Sequence, residues 1–95
     1  MSHLTTLLIT YDLNQPGQNY VALHDAIKNV GTNWWHHLDS TWLVKASKDA
    51  KQVRDELMVV MDTSDKLLVI DVTSRHRAWR GFNASGSAWL DDIYE

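Results

Sequence analysis

The sequence of 95 residues contains no cysteine, no long apolar run and no excess of basic residues. Without cysteine the chain has no disulfide, no thiolate metal site and no cysteine nucleophile. No apolar run approaches the ~20 residues that span a bilayer, and no signal-peptide pattern precedes Leu4. We therefore expect a cytoplasmic protein that makes no membrane contact.

The charge balance also limits the partners. Nine Lys and Arg against twelve Asp and Glu give a net charge of −3, so a polyanion is not attracted by the molecule as a whole, and a nucleic-acid contact requires a local basic patch. The length predicts one domain over residues 1–95. Five tryptophans are many for a small core, so we expect some of them at a surface or interface.

Hydrophobic periodicity predicts strands at 7–13, 33–38, 41–46 and 66–73, and helices at 19–31, at 47–62 and from about 87. On the first strand, alternation places Leu7, Ile9 and Tyr11 on the core side. Asn19 and Ser47 are predicted N-caps, and Gly31 is a predicted left-handed residue after the first helix. The last helix should dock through Trp89 and Ile93.

The element order β-α-β-β-α-β is that of the α+β, ferredoxin-like fold, a four-stranded antiparallel sheet with both helices on one face, here followed by a short C-terminal helix. The first and last strands should lie side by side in the middle. The last strand is almost continuously apolar, so we expect it to be covered on both faces. A second copy is the simplest cover for the other sheet face, which predicts a homodimer.

Asp12 ends the first strand, where the chain leaves the sheet. Its carboxylate in two facing subunits can hold a divalent cation, with oxygen ligands that suit Mg²⁺ or Mn²⁺. The alternative is that Asp12 caps the following turn by accepting from a backbone amide two residues on.

His36 and His37 are adjacent on a predicted strand and so point to opposite faces, which excludes an ordinary two-histidine chelate. One of them, beside Trp34 or Trp35, can face a pocket and act as a general acid or base; His37 is the predicted catalytic one. The alternative is a polar member of an aromatic cluster.

A nucleotide-binding set is predicted around the hairpin turn. The hydroxyls of Ser40 and Thr41 can bond phosphate oxygens, and tryptophan faces such as those of Trp35 and Trp42 can stack a base; Tyr11 completes the set. Alternatively, Ser40 only closes the turn and Trp42 belongs to the core.

The one basic patch, with an aromatic inside it, follows the last strand, at Arg75, His76, Arg77 and Arg80 around Trp79. Arginine forks match phosphate geometry and stack on bases, so Arg75 and Arg77 are predicted phosphate ligands. The alternative is a solvated loop with surface arginines.

The runs Leu8–Leu13, Trp35–Val44 and Leu67–Val72, with the Pro16-Gly17 turn, resemble the SinR-like family of small bacterial and phage proteins. That family is similar in layout to the nuclease of the CRISPR adaptation complex and to VapD-type toxin ribonucleases. The resemblance implies a ferredoxin-like homodimer with a functional aspartate after the first strand, at Asp12 in its Tyr11-Asp12 context.

Three functions follow. The first is a nucleic-acid or nucleotide phosphodiesterase, dimeric and metal-dependent through Asp12. The second is a non-catalytic binder of a small, cyclic or linear signalling nucleotide at the dimer interface, a sponge that would suit phage anti-defence against the host. The third is an interaction module whose aromatic face only makes the dimer.

Overall fold

The computed structural model describes residues 4–14 and 20–92, with the side chain of residue 20 excluded. Within these residues, four strands and three helices follow one another in the order β-α-β-β-α-β-α. The strands are β1 (Thr5–Asp12), β2 (Asn33–Leu38), β3 (Thr41–Ala46) and β4 (Lys66–Asp71). The helices are α1 (Tyr20–Lys28), α2 (Ala50–Met58) and α3 (Ala84–Asp92). The protein is therefore a small α+β domain.

All strand pairs of the sheet are antiparallel, in the order β2-β3-β1-β4. The pairing of β1 with β4 confirms that the first and last strands are neighbours. The prediction that β4 lies in the middle is wrong, because β1 and β3 are the central strands and β4 is an edge. Leu68 and Ile70 are 51% and 43% exposed, so β4 is not covered on both faces either.

The core lies on one face of the sheet, beneath α1 and α2. Leu7 and Ile9 of β1 are fully buried there, against Leu23 and Ile27 of α1 and against α2. This confirms the predicted alternation of β1. Leu8, Thr10 and Asp12 point to the opposite side, which we call the open face.

The C-terminal segment covers part of the open face. Trp35 and Asn33 project from β2 on this side, since Trp35 pairs with Leu43 and Asn33 with Lys45. The Trp35 indole N–H donates to the carbonyl of Gly86 in α3 (3.1 Å), and the Trp89 indole N–H donates to Asn33 Oδ1 (2.8 Å). The chain itself therefore supplies some of the cover for which a second copy was predicted. Ile93, predicted to help dock α3, lies outside the described residues.

Two predicted helix boundaries differ for local reasons. Asp49, not Ser47, is the N-cap of α2, because its carboxylate accepts from Gln52 N (2.8 Å) while the Gln52 side chain accepts from Asp49 N (3.0 Å). Gly31 does not have a left-handed backbone; it lies against the β3 backbone, where a Cβ would stand 1.9 Å from Lys45 O. The predicted N-cap Asn19 lies outside the described residues.

None of the helices in ranges 20–28, 50–58 and 84–92 is long and apolar enough to cross a membrane.

Candidate functional site

Asp12 is exposed at the last position of β1, on the open face and opposite Lys66 of β4. The turn-capping alternative predicts that it accepts from the amide of Asn14. That amide instead donates to Asp65 Oδ1 (2.8 Å), and the other oxygen of Asp65 accepts from Asp62 N (2.9 Å). The Asp65 carboxylate thus serves the Asn14 amide in place of Asp12.

The turn between β2 and β3 lies at the same end of the sheet as Asp12. Tyr11 N donates to Ser40 O (3.2 Å), which ties this turn to the end of β1. Beside it is an open cleft of about 650 Å³. The cleft is lined by three histidines, an acid, a hydroxyl and one apolar side chain: His24, His36, His37, Asp39, Ser40 and Leu38.

The two adjacent histidines separate as predicted. The His36 ring stacks on Trp42 on the core side, with ring centres 3.8 Å apart and planes 9° apart, and its Nε2 pairs with Asp39 O (3.1 Å). His37 projects on the open-face side, where its ring approaches those of Trp35 (5.2 Å) and Phe82 (6.1 Å). Of the two, His37 is the more exposed.

Tyr11, His24 and Trp42 form a polar contact at the edge of the core. Tyr11 Oη and His24 Nε2 are 3.1 Å apart, and Trp42 Nε1 donates to Tyr11 Oη (3.4 Å). Partial burial, and then the charges of His36 and Lys28, lower the pKa of His24. Trp42 has no exposed surface and Tyr11 almost none, so a base cannot stack on Trp42 in this conformation.

His24 was missed in the sequence because its helical position shows only a polar residue beside the apolar stripe of α1. Its proximity to His36 (ring centres 5.3 Å apart) depends on how α1 packs across β2 and β3. The histidine at position 24 carries no local signal of this contact.

A second cavity, of about 420 Å³, lies on the open face beneath the segment 72–82. We call it the sheet cavity. Four of the predicted nucleotide ligands line it together, namely Trp35, Thr41, Arg75 and Arg77. Trp35 is 4% exposed, so its ring forms part of the cavity wall and has no free face on which a base could stack. Thr41 Oγ1 is 3.1 Å from Thr10 Oγ1. Ser40 and His37 instead line the open cleft beside the β2–β3 turn, and Asp12 lines neither of these two cavities.

The two predicted phosphate-binding arginines differ in the contacts that their side chains make. Arg77 donates to the carbonyl oxygens of Leu90 and Asp91 at the end of α3, where a cation also suits the helix dipole. Arg75 is exposed and its charge contributes to lowering the pKa of Asp71, after the larger effect of hydrogen bonds from Thr73 to that carboxylate.

A metal would have few ligands within one chain. In ranges 4–14 and 20–92, no three His, Asp or Glu side chains cluster as a metal site. The exposed carboxylate of Asp12 has the oxygen chemistry that Mg²⁺ and Mn²⁺ prefer, and Mg²⁺ commonly keeps several waters with one or two carboxylates. Within this chain, Asp12 fits such an ion as a single protein ligand, with water in the remaining positions.

The chain was compared with protein-family models, with curated proteins and with solved structures, and none of them matches it.

Proposed function

We propose that the protein is a phosphodiesterase that acts on nucleic acid or nucleotides as a homodimer. The observation that carries the proposal is the position of Asp12, whose exposed carboxylate lies on the open face at the end of a central strand. Asp12 would hold Mg²⁺ or Mn²⁺, which would supply positive charge to a phosphoryl oxygen. The Asn14 amide, which the capping alternative assigned to Asp12, donates to Asp65 instead, and this supports the metal-binding role over the capping one.

His37 suits the role of proton carrier through its exposure and its position on the open-face side. Its strand lies two strands from β1, and at ~4.8 Å per strand the two backbones are about 10 Å apart. At this spacing, His37 and Asp12 of one chain would contact different parts of a nucleotide and not the same phosphorus atom. His37 would meet a leaving or attacking oxygen through water or through a conformational adjustment.

A homodimer is supported by the apolar side chains that remain exposed on β4. Leu68 and Ile70 project on the open face beside Leu8 and Thr10, in line with Asp12. A second copy seated on this strip would bury apolar area and bring two Asp12 side chains towards each other. We propose that this is how a cation site with more than one carboxylate forms.

We also propose that the chain has the ferredoxin-like fold. The strand order β2-β3-β1-β4, with α1 and α2 on one face, supports a ferredoxin-like βαββαβ arrangement. The relationship to SinR-like proteins, and through them to CRISPR-adaptation and VapD-type nucleases, stays a prediction from the motifs in the sequence.

Product analysis tests the proposal. Purified protein is incubated with RNA, DNA and linear and cyclic nucleotides, with Mg²⁺, Mn²⁺ or EDTA, and the products are identified by mass spectrometry. We expect metal-dependent cleavage that Asp12→Asn removes and Glu56→Gln leaves intact, because Glu56 lies on the exposed surface of α2 in a solvent-exposed ion pair with Lys48. Intact substrates under every condition would refute catalysis.

The second candidate is a non-catalytic binder, or sponge, of a small signalling nucleotide. The observation that favours it is that Trp35, Thr41, Arg75 and Arg77 all line the sheet cavity. In the same experiment it predicts unchanged substrates, with one nucleotide recovered on the protein. Stabilisation by that nucleotide without turnover would distinguish it from the phosphodiesterase.

A further inference from the structure

The sheet cavity has an apolar interior. Leu8 and Leu43 of the two central strands line it from the sheet, and Val72, Phe82 and Leu90 line it from the C-terminal segment. Its volume of about 420 Å³ falls within the ~300–1,000 Å³ of small-molecule sites. An apolar body of small-molecule size therefore fits between the sheet and this segment.

Most of the polar side chains in the described lining are basic. The cavity is lined by three arginines, Arg75, Arg77 and Arg80, and by His76, and none of the described lining residues carries a carboxylate. This contrasts with a chain whose net charge is −3. Arginine stays charged at any physiological pH, so the cavity favours an anionic group over a neutral or cationic one.

Two of these arginines have guanidinium groups available for a ligand. Arg77 is held by the carbonyls at the end of α3. Arg75 and Arg80 are exposed, and across the described ranges neither side chain makes an ion pair or donates a hydrogen bond, although the charge of Arg75 also acts on the Asp71 carboxylate. A carboxylate, sulfonate or phosphate can accept two parallel N–H bonds from a guanidinium.

The aromatic rings of the lining are fixed in place before any ligand binds. Trp35 donates from Nε1 to Gly86 O (3.1 Å), and Trp79 donates from Nε1 to Ser87 Oγ (3.3 Å). Phe82 packs edge-on to Trp35, with ring centres 4.9 Å apart. Pre-organised rings favour a flat apolar ligand because little side-chain entropy is lost on binding.

We infer that the sheet cavity binds a small aromatic anion, with its flat body between the sheet and the segment 72–82 and its charge at Arg75 and Arg80. This inference gives the second candidate function a ligand chemistry, but it does not require hydrolysis at Asp12. A nucleoside monophosphate and an aromatic carboxylate or sulfonate share this chemistry, so the test includes both.

The test is a fluorescence titration with 8-anilinonaphthalene-1-sulfonate, followed by its displacement. The competitors are nucleoside 5′-monophosphates, the corresponding neutral nucleosides, indole-3-acetate and inorganic phosphate. We expect saturable binding of one probe per chain, displaced at least 10-fold more effectively by an aromatic anion than by its neutral analogue. The anion that displaces the probe most effectively shows whether the ligand is a nucleotide or an aromatic carboxylate. Displacement by inorganic phosphate alone would refute the inference that the ligand is aromatic.

The matched variants are Arg75→Gln/Arg80→Gln, expected to weaken binding at least 10-fold (about 1.4 kcal/mol), and Arg54→Gln on the exposed surface of α2, expected to change nothing. NMR locates the ligand on the wild-type protein without any variant of the site. The indole N–H signals of Trp35 and Trp79 should shift, and that of Trp42, buried on the other face, should not.

Equal binding by the double variant, or shifts that spare Trp35 and Trp79, would overturn the inference. The variant Asp12→Asn should bind the probe as the wild type does, because Asp12 does not line the cavity. Loss of hydrolysis in Asp12→Asn with binding intact would support both proposals, whereas hydrolysis without binding in the sheet cavity would leave only the phosphodiesterase.

Discussion

Gly31 lies where the chain passes from α1 to β2, and the contact it makes predicts a severe effect of a single methyl group. A Cβ at this position would stand 1.9 Å from Lys45 O and 2.8 Å from Lys45 C. Both are backbone atoms of β3, so they cannot rotate away as a side chain would. Lys45 O also accepts from Thr32 N (3.1 Å), a bond that the displaced chain would lose or stretch.

The magnitude follows from the displacement. The Cβ of Gly31→Ala would lie about 1.5 Å closer to Lys45 O than ordinary van der Waals contact allows. Overpacking costs about 1–3 kcal/mol, and we expect about 3 kcal/mol here because the opposing atoms are backbone. Each kcal/mol lowers Tm by roughly 4–8 °C in a domain of this size, so the fall should be about 12–24 °C.

Urea unfolding followed by tryptophan fluorescence and far-UV circular dichroism measures the effect. The matched control is Gly86→Ala, where the added Cβ meets the movable ring of His37 at 3.1 Å and alanine favours the helix by ~1 kcal/mol. We expect that control to stay within about 1 kcal/mol of the wild type. A Gly31→Ala variant equally close to the wild type would refute the close approach of this glycine to β3.

Three further predictions concern caps and pH. Asp49→Ala should lose about 1 kcal/mol in chemical denaturation and Ser47→Ala almost nothing, because Asp49 is the N-cap of α2; equal losses would contradict the cap. Arg77→Ala should lose about 1–2 kcal/mol and speed amide exchange in α3, since Arg77 bonds the last carbonyls of that helix; unchanged exchange would contradict this. Burial and the neighbouring His36 lower the pKa of His24 in the folded protein. As the pH falls below about 6.5, the unfolded chain therefore binds this proton more readily than the folded protein, and the free energy of unfolding should decrease. In His24→Asn the slope of unfolding free energy against pH in that window should be smaller, and an unchanged slope would count against the shift.

Much of the sheet was predictable because its signals are local. Asn33–Leu38 and Thr41–Ala46 have the predicted bounds, since β-prone residues flank a short polar turn. The alternation in β1 also determines that the Asp12 side chain lies on the face of the sheet opposite the core. These features depend on neighbours in sequence, and the sequence shows them directly.

The position of β4 was not predictable in the same way. A run of Leu67, Leu68, Val69 and Ile70 is typical of a strand buried on both faces, yet here it forms an edge with Leu68 and Ile70 half exposed. The apolar pattern of a strand shows that it has apolar side chains, but it does not show which part of the protein, if any, covers them. The exposed strip is therefore either a cost to the monomer or the place where a second copy packs, as we propose.

The candidate site depends partly on local sequence and partly on contacts between distant parts of the chain. Asp12 was identifiable from its place after a strand, whereas the sheet cavity depends on how the C-terminal segment folds back over β2 and β3. That fold-back is held by indole hydrogen bonds such as Trp35 to Gly86 and Trp89 to Asn33. These contacts span more than 50 residues and leave no periodic signal in the sequence.

The most direct test of the central claim is the rate of phosphodiester cleavage by Asp12→Asn relative to Glu56→Gln, measured by mass spectrometry of products with Mg²⁺ present. A metal that stabilises transition-state charge contributes several kcal/mol, so we predict a loss of about 100-fold or more in Asp12→Asn alone. Equal rates in the two variants, or cleavage that survives EDTA, would contradict a metal-dependent phosphodiesterase centred on Asp12.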